Sequence, residues 1–349
     1  MLTIASDAHR AHAPQGAVLD QGTPIAAPEV PERAERIVAE IRARALGPIQ
    51  APTAHGLDPV LRVHARDYVE FLETAYDEFV RVTGAAPGTE LTAYARPVRG
   101  QPATRDTAVH PIAKIGWYSH DTDPIVAGTW AASIAAVDIA LTGVDEIRAA
   151  GRGGVYSLCR PPGHHAAHDG LAGYCYLNNA AIAARALSDA GARVAILDVD
   201  FHHGNGTQAI FDRDPNVFFA SLHADPVDDY PYFSGFASER GTAEGEGTTL
   251  NRPLPPGTEW STYGAALADA LGAIRAFGCD TLVVSLGVDT ALEDVDSFRL
   301  TGDDFHRLGA AIASLQRPTL FVQEGGYCLD VIGRNVVNVL TAFETSLAQ

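Results

Sequence analysis

Apolar positions along this chain fall into short blocks of strand length, separated by longer stretches in which apolar residues recur at helical spacing. Val194-Ala195-Ile196-Leu197, Val155 to Cys159, Val217 to Leu222, Thr281 to Leu286 and Leu320 to Gln323 are largely unbroken apolar runs. Such runs are how strands buried on both faces of a parallel sheet read. Residues 2–5 predict a short first strand. Pro31 to Leu46 predicts a helix, with Pro31 in the first turn, Ile37, Ile41 and Leu46 as its apolar stripe, and Gly47 as its stop. Asp67 to Val82, Trp130 to Ala150, Asn178 to Ala190 and a last helix running to about Ser346 follow the same spacing. Strands alternating with helices over residues 1–349 predict one α/β domain, its central sheet mainly parallel and flanked by helices. Between about 83 and 126 the pattern fails: Pro87, Pro97, Pro102, Pro111 and Pro124 interrupt it. Structureless loops longer than about 12–15 residues are usually functional or disordered, so an ordered excursion that walls a channel or meets a second subunit is expected here.

The predicted strands share one habit. Each runs into polar, glycine-flanked residues: His164 and His165, Asp200 and His202, His223, Asp289, and Tyr327. In a parallel sheet these endings collect at one edge, where open α/β sheets bind ligands. The sharpest case is RVAILDVDFHHGNGTQ (193–208), where Asp198, Asp200, His202, His203 and Asn205 follow a buried run and Gly204 and Gly206 are expected to end regular structure. If the extended path continued, Asp198, Asp200 and His202 would share one side. Read alone, the stretch favours a metal site only slightly over two capping aspartates and two satisfied core histidines. The other strand ends favour the metal. Asp200, His202 and Asp289 supply two oxygen donors and one nitrogen, and three protein ligands with open positions are typical of a catalytic ion. Zinc suits that set, with Fe(II) or Mn(II) as alternatives. His164 and His165 offer a general base and a general acid, with Asp198 and Asn205 available to fix their tautomers. Tyr327, on a glycine-rich turn, is placed to donate to an oxyanion.

Composition narrows the partners. With 43 acidic against 25 basic residues and a formal charge of −18, the chain lacks the basic footprint of a nucleic-acid binder. The acidity is compatible with a cationic small substrate, and equally with solubility alone. No apolar run approaches the roughly 20 residues of a membrane helix, and the N-terminus lacks a secretory signal. Cys159, Cys175, Cys279 and Cys328 are scattered and expected to be reduced thiols, so a cytoplasmic protein is expected.

RPPGHHA (160–166), GYCYLNNAAIAA (173–184), AILDVDFHHGNGTQ (195–208), FFASLHADP (218–226), VVSLGVDT (283–290) and EGGY (324–327) resemble the histone-deacetylase-like family of the arginase/deacetylase superfamily, nearest its acetylpolyamine amidohydrolases. The resemblance implies an arginase/deacetylase-like fold and a zinc-dependent amidohydrolase acting on a small cationic N-acetylated amine. It assigns Asp200, His202 and Asp289 to zinc, and His165 with Asn205 to general base and acid. His164 with Asp198 becomes the electrostatic partner, and Tyr327 the carbonyl-polarising group. It places Gly173, Tyr174 and Tyr230 in the substrate tunnel, with Asp121 and Asp123 toward a distal ammonium. It also implies a structural potassium ion at Asp198, Asp200, His202, Ser221 and Leu222, a second near Phe211, Asp214 and Val217, and a homodimer through the 83–126 excursion. Two departures stand out. Ile112 occupies a place where a glutamate is expected, and the ALEDVDSFRLT segment after Asp289 is one residue short, with Asp294 and Asp296 as rim carboxylates that meet a cation or merely solvent. The alternatives are a deacetylase of protein lysines or of another small amide, a binuclear manganese ureohydrolase like arginase, and a catalytically silent binding module.

Overall fold

A computed structural model describes residues 1–348 except 21, 99, 101–102 and 295–297. Ten strands are present among the described residues: β1 (Leu2–Ile4), β2 (Ala17–Asp20), β3 (Thr23–Ala26), β4 (Ile49–Gln50), β5 (Gly154–Ser157), β6 (Val194–Asp198), β7 (Val217–Ala224), β8 (Thr249–Leu254), β9 (Thr281–Leu286) and β10 (Thr319–Gln323). Eight of them make one sheet in the order β4-β1-β5-β10-β9-β6-β7-β8, and every pairing in it is parallel. β2 and β3 form a separate antiparallel hairpin.

The α-helices are α1 (Glu32–Ala43), α2 (Asp58–Leu61), α3 (Arg66–Thr83), α4 (Pro111–Tyr118), α5 (Thr129–Ala150), α6 (Asn179–Asp189), α7 (Asn205–Phe211), α8 (Trp260–Phe277), α9 (Gly302–Ala313) and α10 (Ile332–Leu347). They cover both faces of the sheet. Strand side chains alternate, so each central strand feeds two cores. Val194, Ile196, Val283, Leu320 and Val322 pack with Val69, Leu72, Val137 and Ile182 on one face. Ala195, Leu197, Val284 and Phe321 pack with Ile37, Leu267, Phe305 and Leu340 on the other. That double burial is why the strands read as continuous apolar runs rather than alternating ones.

The predicted elements appear with ends shifted by one to three residues. Three differences have clear causes. Gly204 and Gly206 do not end regular structure: α7 begins at Asn205, and a Cβ at Gly206 would overlap the Ala166 carbonyl, so this glycine serves a close helix–loop approach. β7 runs through His223 to Ala224 because its ladder with β8 continues that far. β8 itself, with the polar-mixed sequence TLNRPL, lies at the sheet edge and carries no continuous apolar signal. Within the 83–126 excursion, α4 forms behind His110, whose ring accepts the Ile112 N–H, and Ile112 packs against the main core. The glutamate expected at that place would be half-buried against that core. Among the described residues no helix is long and apolar enough to cross a membrane.

Candidate active site

β5, β10, β9 and β6 are contiguous and parallel, so their carboxyl ends open onto one basin. Beyond Asp198, the last residue of β6, the alternation outlasts the strand. Val199 and Phe201 turn into the core, and Asp198, Asp200 and His202 turn together into the basin. Each aspartate fixes the next step: Asp198 Oδ1 accepts the Asp200 N–H and Asp200 Oδ1 accepts the His202 N–H at 2.9 Å. Asp289, three residues past the end of β9, accepts the Phe201 N–H through Oδ1 at 2.9 Å.

The donor atoms of Asp200, His202 and Asp289 lie within 4.8 Å of one another. His202 Nδ1 stands 3.5 Å from Asp200 Oδ1 and 3.6 Å from Asp289 Oδ2. Asp289 Oδ2 is buried without a hydrogen-bond partner, an expensive state for a carboxylate unless something else occupies it. Gly287 and Gly325 hold the space open, since a Cβ on either would overlap these carboxylates. Burial and the neighbouring Asp200 charge push the Asp289 carboxyl up to about 7 despite His202. Two oxygens and a nitrogen converging on one point fit a single divalent ion.

His164 and His165 follow β5 through Arg160, Pro161, Pro162 and Gly163, their ring centroids 4.0 Å apart. Their surroundings drive them in opposite directions. Burial opposes charge on His164, but Asp200, Asp198 and the 3.0 Å bond from Nδ1 to Asp198 Oδ2 override it and lift its pKa to about 10. His165 is held well below the usual histidine range by burial and by the positive fields of His164 and His202; its Nδ1 meets Asn205 Oδ1 at 2.7 Å. The pair is thus one imidazolium beside one neutral base. Tyr327, four residues past β10, is half-buried, and burial raises its phenol well above the ordinary value, so the hydroxyl keeps its proton.

Three residues to which the sequence assigned no such role hold this floor. Glu324 Oε2 accepts the Gly163 and His164 N–H groups at 2.6 and 3.1 Å, and burial among carboxylates pushes its pKa up to about 8. Arg33 donates to the Glu324 and Gly326 carbonyls at 2.6 Å each. Asp294 accepts the Tyr327 and Cys328 N–H groups at 2.9 and 3.0 Å, so it pins the tyrosine loop instead of facing a rim cation or bare solvent. Asp296 lies outside the described residues. The glutamate of EGGY, directly after a buried strand, was the one cue within reach.

A histone deacetylase domain matches residues 27–343. The chain belongs to the histone deacetylase family. As such it is a metal-dependent amidohydrolase. An acetylpolyamine amidohydrolase of Pseudomonas aeruginosa is 47% identical over 348 residues, 99% of each chain, and one from Mycoplana ramosa is 47% identical over 89% of this chain and 91% of its own. A crystal structure of an acetylpolyamine aminohydrolase from Burkholderia pseudomallei matches with a TM-score of 0.91 and 37% identity, covering 99% of both chains.

Around the floor of this histone deacetylase fold stand the rim residues. The Tyr230 ring lies edge-on to His165 at 5.0 Å, and Tyr174 edge-on to Tyr327 at 6.0 Å. Tyr174 adopts φ 65°, uncommon for a residue with a side chain. Asp123 holds it there by accepting its N–H. Asp123 is therefore buried behind the tyrosine, only 2% exposed, and not open toward a substrate as expected. Asp121 is half-buried; burial first, and then the nearby Asp121 charge, push the Tyr230 phenol well above its ordinary value. Gly173 lies flat on His165, where a Cβ would overlap the ring. His223 leaves the basin: its Nε2 meets the Gly235 carbonyl at 2.8 Å and its Nδ1 meets Ser221. His203 also turns away, to Ser234 and Gln208. Of the residues expected around structural cations, Asp198 and Ser221 are cross-strand partners, with Leu222 next to them. Phe211 and Val217 flank Asp214, whose carboxylate is engaged by Arg185 at 2.8 Å. A cation there would depend on backbone carbonyls.

Proposed function

We propose that this chain removes acetyl or short acyl groups from primary amines, with acetylated polyamines as its substrate class, using one zinc ion held by Asp200, His202 and Asp289. The observation that carries the reading is the buried, unpartnered Asp289 Oδ2 aimed at the point where Asp200 and His202 also converge, next to a neutral histidine. Bound there, a divalent ion supplies Lewis acidity toward an amide oxygen and lowers the pKa of a water.

The protein groups divide the remaining work. Asn205 Oδ1 can only accept, so His165 carries its proton on Nδ1 and presents a free Nε2. That nitrogen takes a proton from the attacking water and returns it to the leaving amine. His164, charged and donating Nδ1–H to Asp198, stabilises the negative charge that develops on the acyl oxygen, and the Tyr327 hydroxyl donates to the same oxygen. Tyr174 and Tyr230 flank an alkyl chain, and Asp121 together with the overall charge of −18 favours a distal ammonium. The names of the similar proteins support that substrate class. Potassium at Asp198, Asp200, His202, Ser221 and Leu222, a second cation near Phe211, Asp214 and Val217, a dimer through the 83–126 excursion and a cytoplasmic location belong to the same proposal. The arginase-like alternative needs bridging carboxylates. The other donor cluster among the described residues, His164, Cys175 and Glu324, contains a single carboxylate, and with its Oε2 accepting backbone N–H groups only Oε1 is left, which makes no bridging pair.

The test is acetate release from N-acetylputrescine, from an acetyl-lysine peptide and from a folded acetylated protein, with and without chelator. Chelator-sensitive turnover favouring the free amine is expected. Turnover of the folded protein alone, or release of urea from arginine with two manganese ions per chain, would replace the reading.

A further inference from the structure

The two loops that must stay in register for the reaction, Gly163 to His165 and Glu324 to Tyr327, are joined behind the floor by a carboxylate outside every motif discussed above. Glu29 lies three residues before α1 and is 2% exposed. Its Oε1 accepts from Arg33 Nη1 at 2.7 Å and from Arg160 Nε at 2.8 Å, and its Oε2 accepts from Arg160 Nη2 at 2.8 Å. Each guanidinium then continues to backbone. Arg33 donates to the Gly326 and Glu324 carbonyls, and its Cζ lies 4.7 Å from the centroid of the Tyr327 ring. Arg160 is the residue from which the Pro161-Pro162-Gly163 turn to the histidines departs, and it donates to the His9 and His12 carbonyls at 2.7 and 2.8 Å.

We infer that Glu29 is a positioning residue that ties the histidine loop to the tyrosine loop through Arg160 and Arg33, fixing the distance across which the two loops act on one acyl group. The physical reason is charge. Two almost fully buried guanidinium groups share one carboxylate, so neither can move without leaving a charge uncompensated in low dielectric. Arg33 stacked on Tyr327 and forked onto the Glu324 and Gly326 carbonyls transmits that constraint to the hydroxyl. Among the described residues, the hydrogen bonds of the Glu29 carboxylate go to the two guanidinium groups and not to either loop itself. A role confined to packing would stabilise the fold without linking the two loops.

The kinetic arm of the test rests on the amide-hydrolysis reading; the exchange arm does not. Glu29→Gln removes the shared charge, and Glu29→Asp keeps it on a stem too short to reach both guanidinium groups, which covers the case that the first variant does not fold. Backbone hydrogen exchange of the metal-loaded protein should rise in both 161–166 and 324–330 in either variant, relative to segments on β7 and α8. With N-acetylputrescine, kcat should fall about 10- to 100-fold while KM stays within about twofold, because sub-ångström misplacement of catalytic groups costs rate more than binding. Glu29→Asp should recover part of that loss. Exchange unchanged in both loops, or raised in only one, would overturn the inference. A wild-type protein that does not turn over the acetylated amine would overturn the substrate reading and leave the exchange result to decide this one.

Discussion

The basin floor and the basin wall of this protein are built on different principles. The floor is made of strand ends. Asp198, Asp200, His202, Asp289 and Tyr327 all follow strands of one parallel sheet, and their positions are set by a ladder that is buried on both faces. The wall is made of loops that lean on each other: Asp123 fixes Tyr174, the Asp121 charge lies close enough to help raise the Tyr230 phenol, and Arg96 ties the Ser119 and Asp121 carbonyls. The difference separates chemistry from selection. Changing the floor should cost turnover; changing the wall should move substrate preference.

The largest break in that comparison should come from Asp289→Ala. It removes a donor of the metal triad, and acetate release should drop below about one part in 10³ of wild type, with the bound ion lost by elemental analysis. Retained metal and retained rate would remove Asp289 from the floor. Next come His165→Ala and Tyr327→Phe, each expected to lower kcat by about 10²- to 10³-fold with metal content intact. Steady-state kinetics at saturating metal check both. At the wall, Asp121→Asn should raise KM for a substrate with a distal ammonium by about 5- to 10-fold and leave kcat within about twofold. The same substitution should not affect an acetylated amine that lacks the second charge, so the pair of substrates is the control.

The smallest effect concerns the scaffold under the floor. His64 is 1% exposed, its Nδ1 donating to the Ala167 carbonyl and its Nε2 accepting the Asn178 N–H. Burial lowers its pKa to about 4, so the folded protein keeps it neutral. Between about pH 6.5 and 4 the unfolded chain therefore binds a proton that the folded one refuses, and the contribution of His64 to stability falls as the pH falls. The stability gap between wild type and His64→Gln should narrow by on the order of 1–3 kcal/mol over that window, measured by urea unfolding. A gap independent of pH would mean that His64 is not held neutral by the fold.

What could be read from the sequence follows the same division. Apolar runs announce strands buried on both faces, and the polar residues after them announce the edge where a site belongs, so the convergence of Asp200, His202 and Asp289 and the pairing of the two histidines could be expected from local pattern. Edge strand β8 was invisible because its partner covers one side only and its residues are mixed. Asp123 was misplaced because nothing local tells a carboxylate that holds a neighbouring backbone from one that faces a ligand. Glu324, Arg33 and Asp294 act through carbonyls and N–H groups far away in the chain, and such contacts leave no periodicity. α7 was missed because its first turn contains Gly206, a weak helix former, placed there by a close approach to Ala166.

The central claim is that one divalent ion, shared by Asp200, His202 and Asp289, makes this fold a hydrolase of acetylated amines. The most direct measurement is the rate of acetate release from N-acetylputrescine as metal-stripped protein is titrated with zinc. The account predicts no turnover without metal and a rise to a plateau at one equivalent per chain. A rate that survives stripping, a plateau that needs two equivalents, or a fully loaded protein that releases no acetate would contradict it.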